Sequence, residues 1–395
     1  MAVRFDSASS IDGPPEVWLA AFGKHPGWND HIDDQGLETE LLVRAKRMLY
    51  SEGIGGVINA GTWDAMPEDE RLPGFDHTFV WRNAEGLLIG RMWSSSDGKG
   101  RKKYPMVLCA QTRSLPLSFA CRRVLPRLHR LEQDCKDATE SYKVISLLDE
   151  ARRELNTLAR DAVRVSPEVI GGTTAMKRLH DADMLGPDGV GLRRTLYQFS
   201  RDFGAYLQPD ARGKGESGSR SRSIDVRPQH IRVERVFEEF EEAAESWMRV
   251  AYTKLDPVVP LLVIEAAIDG KARSWLDLIA GEPTSTQLQP LMMERSEMSP
   301  ASDVDYTIGG EQGERVDSWI ESGSRGELPE YDPGHVALPR DRLVRLLGGK
   351  AKSKSASGGG LGPKLILIAV GVFVVIAAVL AAVVLILLPS GEGSG

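Results

Sequence analysis

Clustered and alternating apolar positions open the folded part of the chain. Glu16–Phe22 (EVWLAAF) predicts a strand, followed by a Gly/Pro loop, GKHPGWND. Leu37–Tyr50 predicts a helix, because Leu41, Ala45, Met48 and Leu49 share one face. Thr78–Arg82 and Leu87–Ser94 flank Asn83-Ala84-Glu85-Gly86, the pattern of a hairpin with a glycine-containing turn, and Tyr104–Thr112 predicts a further strand. Five of the eight tryptophans fall between Trp18 and Trp93, which marks a densely packed stretch. Two helical stretches follow. Leu117–Ala138 carries Pro126, where a kink or break is expected. In Tyr142–Ala162, Val144, Leu148, Ala151, Leu155 and Ala162 form one stripe. This order predicts an α+β sheet covered by helices.

Beyond residue 165 the pattern loosens. Leu192, Leu196, Phe199, Phe203 and Leu207 keep helical spacing before a flexible break at Pro209–Ser223. Ile231–Tyr252 predicts a strongly amphipathic helix, with Val236, Phe240 and Trp247 on one side and six glutamates on the other. Val258–Ala266 predicts a buried strand and Ala272–Ala280 a short helix. From Glu294 to Pro363 apolar residues thin out, which predicts a mostly disordered tether with short helical tendencies at Arg315–Ser322 and Arg340–Leu347. A relaxed chain of that length would span about 40–50 Å.

Leu365–Leu388 carries no charged or polar side chain. As a helix at 1.5 Å per residue it would be about 36 Å long, enough to cross a hydrocarbon layer. Arg340, Arg342, Arg345, Lys350, Lys352, Lys354 and Lys364 precede it, and the seven residues after it include no Lys or Arg. Positive charge stays inside, so the expectation is a single-pass C-terminal anchor in the inner membrane with the bulk of the chain in the cytoplasm. The predicted organisation is therefore a flexible start at 1–15, an α/β domain at 16–165 and a helical or mixed region at 166–293 with a flexible insertion at 207–227. A tether at 294–364 and a transmembrane helix at 365–388 complete it.

Composition narrows the function classes. The 395 residues carry a formal net charge of −7, which argues against a general nucleic-acid binder. Three cysteines, none in a CxxC pair, exclude a disulfide scaffold and fit a reducing compartment. No HExxH, GxSxG or GxxxxGK[ST] string occurs. His25, Asp30, His31, Asp33 and Asp34 could hold a divalent ion, but they share one loop and no second ligand cluster completes them. Asp97-Gly98-Lys99-Gly100-Arg101 has the look of a phosphate loop, yet it lies between two predicted strands rather than before a helix. Neither a metal nor another cofactor is expected. Arg220, Arg222, Arg227, Arg232 and Arg235 fit a solvated linker better than a phosphate-recognition cluster.

Two strings carry a family resemblance. Phe22-Gly23-Lys24-His25-Pro26-Gly27-Trp28-Asn29-Asp30 resembles the FGKxPxxxD opening of the TagF/ImpM family, accessory proteins of bacterial type VI secretion. Trp81-Arg82, Gly90, Ser95-Ser96-Asp97-Gly98-Lys99-Gly100-Arg101 and Tyr104-Pro105-Met106 are similar to that family's WRF…G…SxDxxGRxFPL stretch. The better match covers residues 16–115. The resemblance implies a longin-like antiparallel sheet covered by helices and a non-enzymatic regulator or adaptor acting by protein–protein contact. Its partner would be a forkhead-associated-domain scaffold or another secretion component. The interface or structural motif residues it points to are Lys24, Pro26, Asp30, Trp81, Ser95, Asp97, Gly100, Arg101 and Pro105. The competing expectations are a metal- or phosphate-dependent hydrolase built on His25, Asp30, Asp97 and Arg101, and a structural docking platform at the membrane.

Overall fold

A computed structural model describes residues 15–335, apart from 69–70, 73, 84, 163–170, 183–189, 209–226, 269–270, 273–274, 289–290, 293–297 and 330–331. The elements in chain order are β1 (Glu16–Gly23), α1 (Glu40–Ala45), a π-helical segment (Lys46–Ile54), α2 (Gly55–Asn59), α3 (Thr62–Ala65), β2 (Asp76–Asn83), β3 (Gly86–Ser94) and β4 (Pro105–Arg113). Then come α4 (Leu117–Phe119), a π turn (Ala120–Val124), α5 (Leu125–Asp137), α6 (Ser141–Ala162), α7 (Gly172–Asp181) and α8 (Gly191–Asp202). The last group is β5 (Gln229–Glu234), α9 (Phe240–Tyr252), β6 (Leu261–Ile268), β7 (Lys271–Ala272), β8 (Trp275–Ala280) and α10 (Gly310–Arg325).

The architecture is α+β. One antiparallel sheet runs in the order β1-β4-β3-β2-β6-β8-β5, with β7 paired to β6. Alternation along each strand divides the core in two. Val80, Ile89, Leu108, Val263 and Leu278 face helices α5 to α10, while Phe79, Trp81, Leu88, Val107 and Ile264 face α1, the π-helical segment and α2. Fully burying side chains of this size contributes about 1.5–3 kcal/mol each, so both faces hold the sheet. The β1 edge is closed. Ala21 and Gln35 exchange backbone hydrogen bonds at 2.9 and 3.1 Å, and Asn156 of α6 bonds both the N–H and the C=O of Val17. At the opposite edge Arg232 of β5 donates to the Met298 carbonyl at 2.9 Å. An exposed strand edge would invite pairing with another chain, and the contacts on β1 occupy the backbone groups of its outer side.

Several expectations need correction. Ile231–Tyr252 is not one helix: its start is β5, where Ile231 and Val233 alternate inward opposite Leu278 and Leu276 of β8, and α9 begins at Phe240. Ala272–Ala280 is not a helix, because Leu276, Leu278 and Ala280 point to one core while Ile279 points to the other, which makes Trp275–Ala280 a central strand. The separate regions 16–165 and 166–293 share one sheet, since β2 pairs with β6 from Arg82↔Leu261 to His77↔Ala266. The tether begins too early at 294. Within it α10 packs Val316 and Trp319 into the core, and Trp319 Nε1 donates to Thr253 Oγ1 at 2.9 Å. Near Pro126 the helix widens into the π turn rather than ending, and the proline follows directly on that wider turn at the second position of α5. Among the described residues no helix is long and apolar enough to cross a membrane. Leu365–Leu388 and the helical tendency at Arg340–Leu347 lie outside them.

Candidate functional site

The two motif strings, far apart in sequence, meet at one carboxylate. β1 ends at Gly23, whose φ of +109° turns the chain into the 24–34 loop; a side chain there would collide with the Pro105 carbonyl. That close approach lets the Lys24 N–H donate to Pro105 O at 3.0 Å, which sets the first string against the start of β4. The β3–β4 loop then folds on itself. Asp97 N–H bonds Arg101 O at 3.2 Å, and Gly100, with φ +77°, makes the left-handed turn between them.

The Asp97 side chain is fully buried at the centre of this loop pair. Lys24 Nζ donates to its Oδ2 at 2.5 Å and Arg101 Nε at 2.6 Å, while the backbone N–H groups of Lys99 and Arg101 donate to Oδ1 at 3.0 Å each. Burial alone would raise the pKa. The bonds from Lys24, Arg101 and Lys99 outweigh it and hold the carboxyl well below the usual carboxylate range. The backbone N–H groups that a phosphate loop would offer to an anion are thus taken by the loop's own aspartate. A second set of bonds locks the two strings: Gly98 N–H donates to Trp28 O at 2.6 Å and Arg101 to Asn29 O at 3.0 Å. Asp30, exposed, pairs with Arg101 at 3.0 Å and Lys24 at 3.5 Å.

His25 is turned away from this group. Its Nδ1 accepts from the Gly27 N–H at 3.0 Å, so the proton sits on Nε2, which donates to the Cys135 carbonyl at 2.8 Å. Burial lowers its pKa against the raising effect of that carbonyl. His25 therefore ties the loop to α5 and does not join Asp30, Asp97 and Arg101. The proposed ligand loop disperses as well: Asp34 pairs with Lys46 at 2.5 Å, His31 with Asp30 at 3.0 Å, and Asp33 is exposed. Among the described residues no group of three or more His, Cys, Asp or Glu side chains could hold a metal ion.

Of the other motif residues, Pro26 is exposed on the loop, Ser95 is half-buried just after β3 and Pro105 supplies the carbonyl that receives Lys24. Trp81 belongs elsewhere. It lies on β2 in the second core, opposite Leu88 and Leu262, with the Arg44 guanidinium 5.5 Å from its ring centre. Residues around the site that the motifs do not reveal are Tyr50 and Tyr104, which make edge contacts with the His31 ring at 5.9 and 5.2 Å. Tyr50 sits in the π-helical segment, and its buried hydroxyl has no hydrogen-bond partner among the described residues. A π-helical run often marks a functional position and leaves no trace in hydrophobic periodicity.

A second charged group lies across the sheet face beneath α5. Arg91 of β3 donates to Glu132 at 2.7 Å, Thr78 at 2.5 Å and Asp76 at 2.6 Å, and Lys136 adds a bond to Glu132 at 2.7 Å. Burial would raise the Glu132 pKa, but Arg91 and Lys136 hold it low. On the next strand, Glu265 stands opposite Thr78 and pairs with Arg235 at 2.5 Å. Burial pushes its carboxyl up to about 7 despite that partner. Arg232 is likewise buried, 3.0 Å from Asp277, which His230 also contacts at 2.8 Å. Arg232, buried, and Arg235, half-buried, are therefore ion-pair residues and not part of a solvated linker; Arg220 and Arg222 lie outside the described residues.

No protein-family profile matches the chain, and no curated protein sequence matches it.

Proposed function

We propose that the chain is a non-enzymatic adaptor or regulator that presents the paired 24–34 and 95–105 loops to a protein partner. A C-terminal anchor at Leu365–Leu388 would hold it at the cytoplasmic face of the inner membrane. The observation that carries this reading is the saturation of Asp97: the two strings with TagF/ImpM likeness are joined through one carboxylate whose donors leave it no role as acid, base or ligand. Such bonding fixes the shape of a surface. His25, the natural general base of the hydrolase alternative, is committed at both ring nitrogens. A longin-like sheet and a role in type VI secretion follow from the resemblance, and a forkhead-associated-domain scaffold is the partner it suggests. Confinement beside a membrane raises effective concentration to the mM scale, so a weak interface suffices.

The test is site-specific photo-crosslinking in the source cell, with the probe at exposed Lys99 and, as control, at exposed Glu321 on α10. Capture of a forkhead-associated-domain or secretion-apparatus protein from position 99 alone is the expected result. Steady hydrolysis of a phosphate ester with Mg²⁺ or Mn²⁺, abolished by Asp30→Asn, would instead establish the hydrolase.

A further inference from the structure

Next to the Asp97 loop is a cleft of about 540 Å³ between α3 and the β3–β4 loop. Trp63 and Phe75 form its apolar wall, stacked at 15° with ring centres 6.4 Å apart. Its rim carries Ser95, Ser96, Lys102 and Lys103. The Lys103 ammonium is occupied by both oxygens of Asp64 at 2.8 Å. Exposed Lys102 makes no ion pair among the described residues, and the half-buried Ser95 and Ser96 make no side-chain hydrogen bond among them. The cleft therefore joins a flat aromatic surface, with the Arg71 guanidinium 5.8 Å from the Trp63 ring centre, to the Lys102 ammonium and two hydroxyls that have no partner among the described residues.

We propose that this cleft binds an acidic peptide segment of a partner protein, with one carboxylate on Lys102 between the Ser95 and Ser96 hydroxyls and a neighbouring apolar side chain against Trp63 and Phe75. This rests on the reading of the loop pair as a protein-contact surface and names the chemistry of what it contacts. Charge selects the occupant. The Lys102 ammonium with two hydroxyls matches one carboxylate, whereas a polyphosphate calls for several cations. The chain's own segment 336–364 is a poor match, since Asp341 is its one acid beside Arg340, Arg342, Arg345, Lys350, Lys352, Lys354 and Lys364. With so few anchors, binding on the order of 100 µM is expected.

The experiment uses the full chain in detergent micelles and fluorescein-labelled octapeptide pools. Each pool has a fixed central pair, Phe-Glu, Phe-Gln or Phe-Lys, within randomised uncharged flanks. The Phe-Glu pool is expected to bind about threefold tighter than Phe-Gln in fluorescence polarisation. Lys102→Glu should remove that preference and turn it toward Phe-Lys, and Ser95→Ala with Ser96→Ala should weaken Phe-Glu alone. All of these side chains lie on the loop surface, and an unchanged melting curve checks the fold of each variant. Equal binding of the three pools, no binding at 1 mM, or a preference that survives Lys102→Glu overturns the proposal. If position 99 captures a partner while the pools fail, the acidic-peptide inference falls and the adaptor reading stands. If the pools succeed and position 99 captures nothing, the adaptor reading is the one in trouble.

Discussion

Asp97 and Glu265 are both buried carboxylates with an arginine beside them, yet one is driven down and the other up. Asp97 receives two backbone N–H groups, Lys24 and Arg101, and stays ionised far below the usual range. Glu265 has Arg235 at 2.5 Å, but Glu241 and Asp76 add negative charge around it, and burial takes it to about 7. The number and alignment of donors decides the outcome, because a charge removed from water needs its hydration replaced, not merely one counter-charge. The loop aspartate is therefore a structural keystone, and the strand glutamate is a group with a conditional charge.

The most direct way to break the contrast is Asp97→Asn. It keeps the shape but removes the charge, and leaves the Lys24 ammonium, 3% exposed, with only the exposed Asp30 at 3.5 Å as counter-ion. The expected loss is about 10 °C in thermal midpoint, measured by circular dichroism. A midpoint unchanged within error would show that the loop pair holds without its central ion. Glu132→Gln comes next. Arg91 keeps Asp76 and Thr78 but loses its most buried partner, and the expected cost is about 3 kcal/mol in denaturant unfolding.

Glu265 offers a pH test with a definite sign. A carboxyl raised from 4.5 to about 7 binds a proton on folding, so its contribution is complete below about 4.5 and is lost as pH rises through 7. His77, one residue before Thr78 on β2, works the other way. Burial lowers it from 6.5 to about 4, so its contribution is present above 6.5 and lost as pH falls through 4. The two oppose each other between about 4.5 and 6.5. Glu265→Gln should therefore unmask a stability rise of about 2 kcal/mol from pH 5 to 6.5, over which the wild type stays nearly level. The same slopes in variant and wild type would remove Glu265 from the pH response.

What the sequence made legible follows the same division between local and distant partners. The Asp97-to-Arg101 bonds close within five residues, so the Asp-Gly-Lys-Gly-Arg string announces a self-bonded turn. The strands β1 to β4 and helix α6 were readable because their apolar patterns are continuous and their neighbours are near in sequence. Arg235–Glu265 and Arg91–Glu132 join residues 30 and 41 positions apart across a strand and a helix, and no periodicity marks them. β5 was hidden for a related reason. Arg232 and Glu234 interrupt Ile231 and Val233, and the helix beginning at Phe240 supplies a stronger repeat that absorbs the short alternation. Sequence order groups Trp81 with the interface or structural motif residues, and the strand period places it in the opposite core from Val80.

The smallest effect tests the keystone from its exposed side. Arg101 reaches the same two carboxylates as Lys24, Asp97 and Asp30, and the Asn29 carbonyl besides. Its side chain is 50% exposed, however, whereas that of Lys24 is 4% exposed. Water can replace the Arg101 guanidinium at the loop surface but cannot reach the Lys24 ammonium, so equal geometry carries unequal weight. Arg101→Ala should cost less than about 1 kcal/mol in denaturant unfolding, and 1 M salt should reduce that further by screening. Lys24→Met should cost several times as much under the same conditions, since it leaves the buried carboxylate with only Arg101 and the two backbone N–H groups. Equal losses for the two variants would mean that bonding count, not access of water, sets the strength of this loop pair.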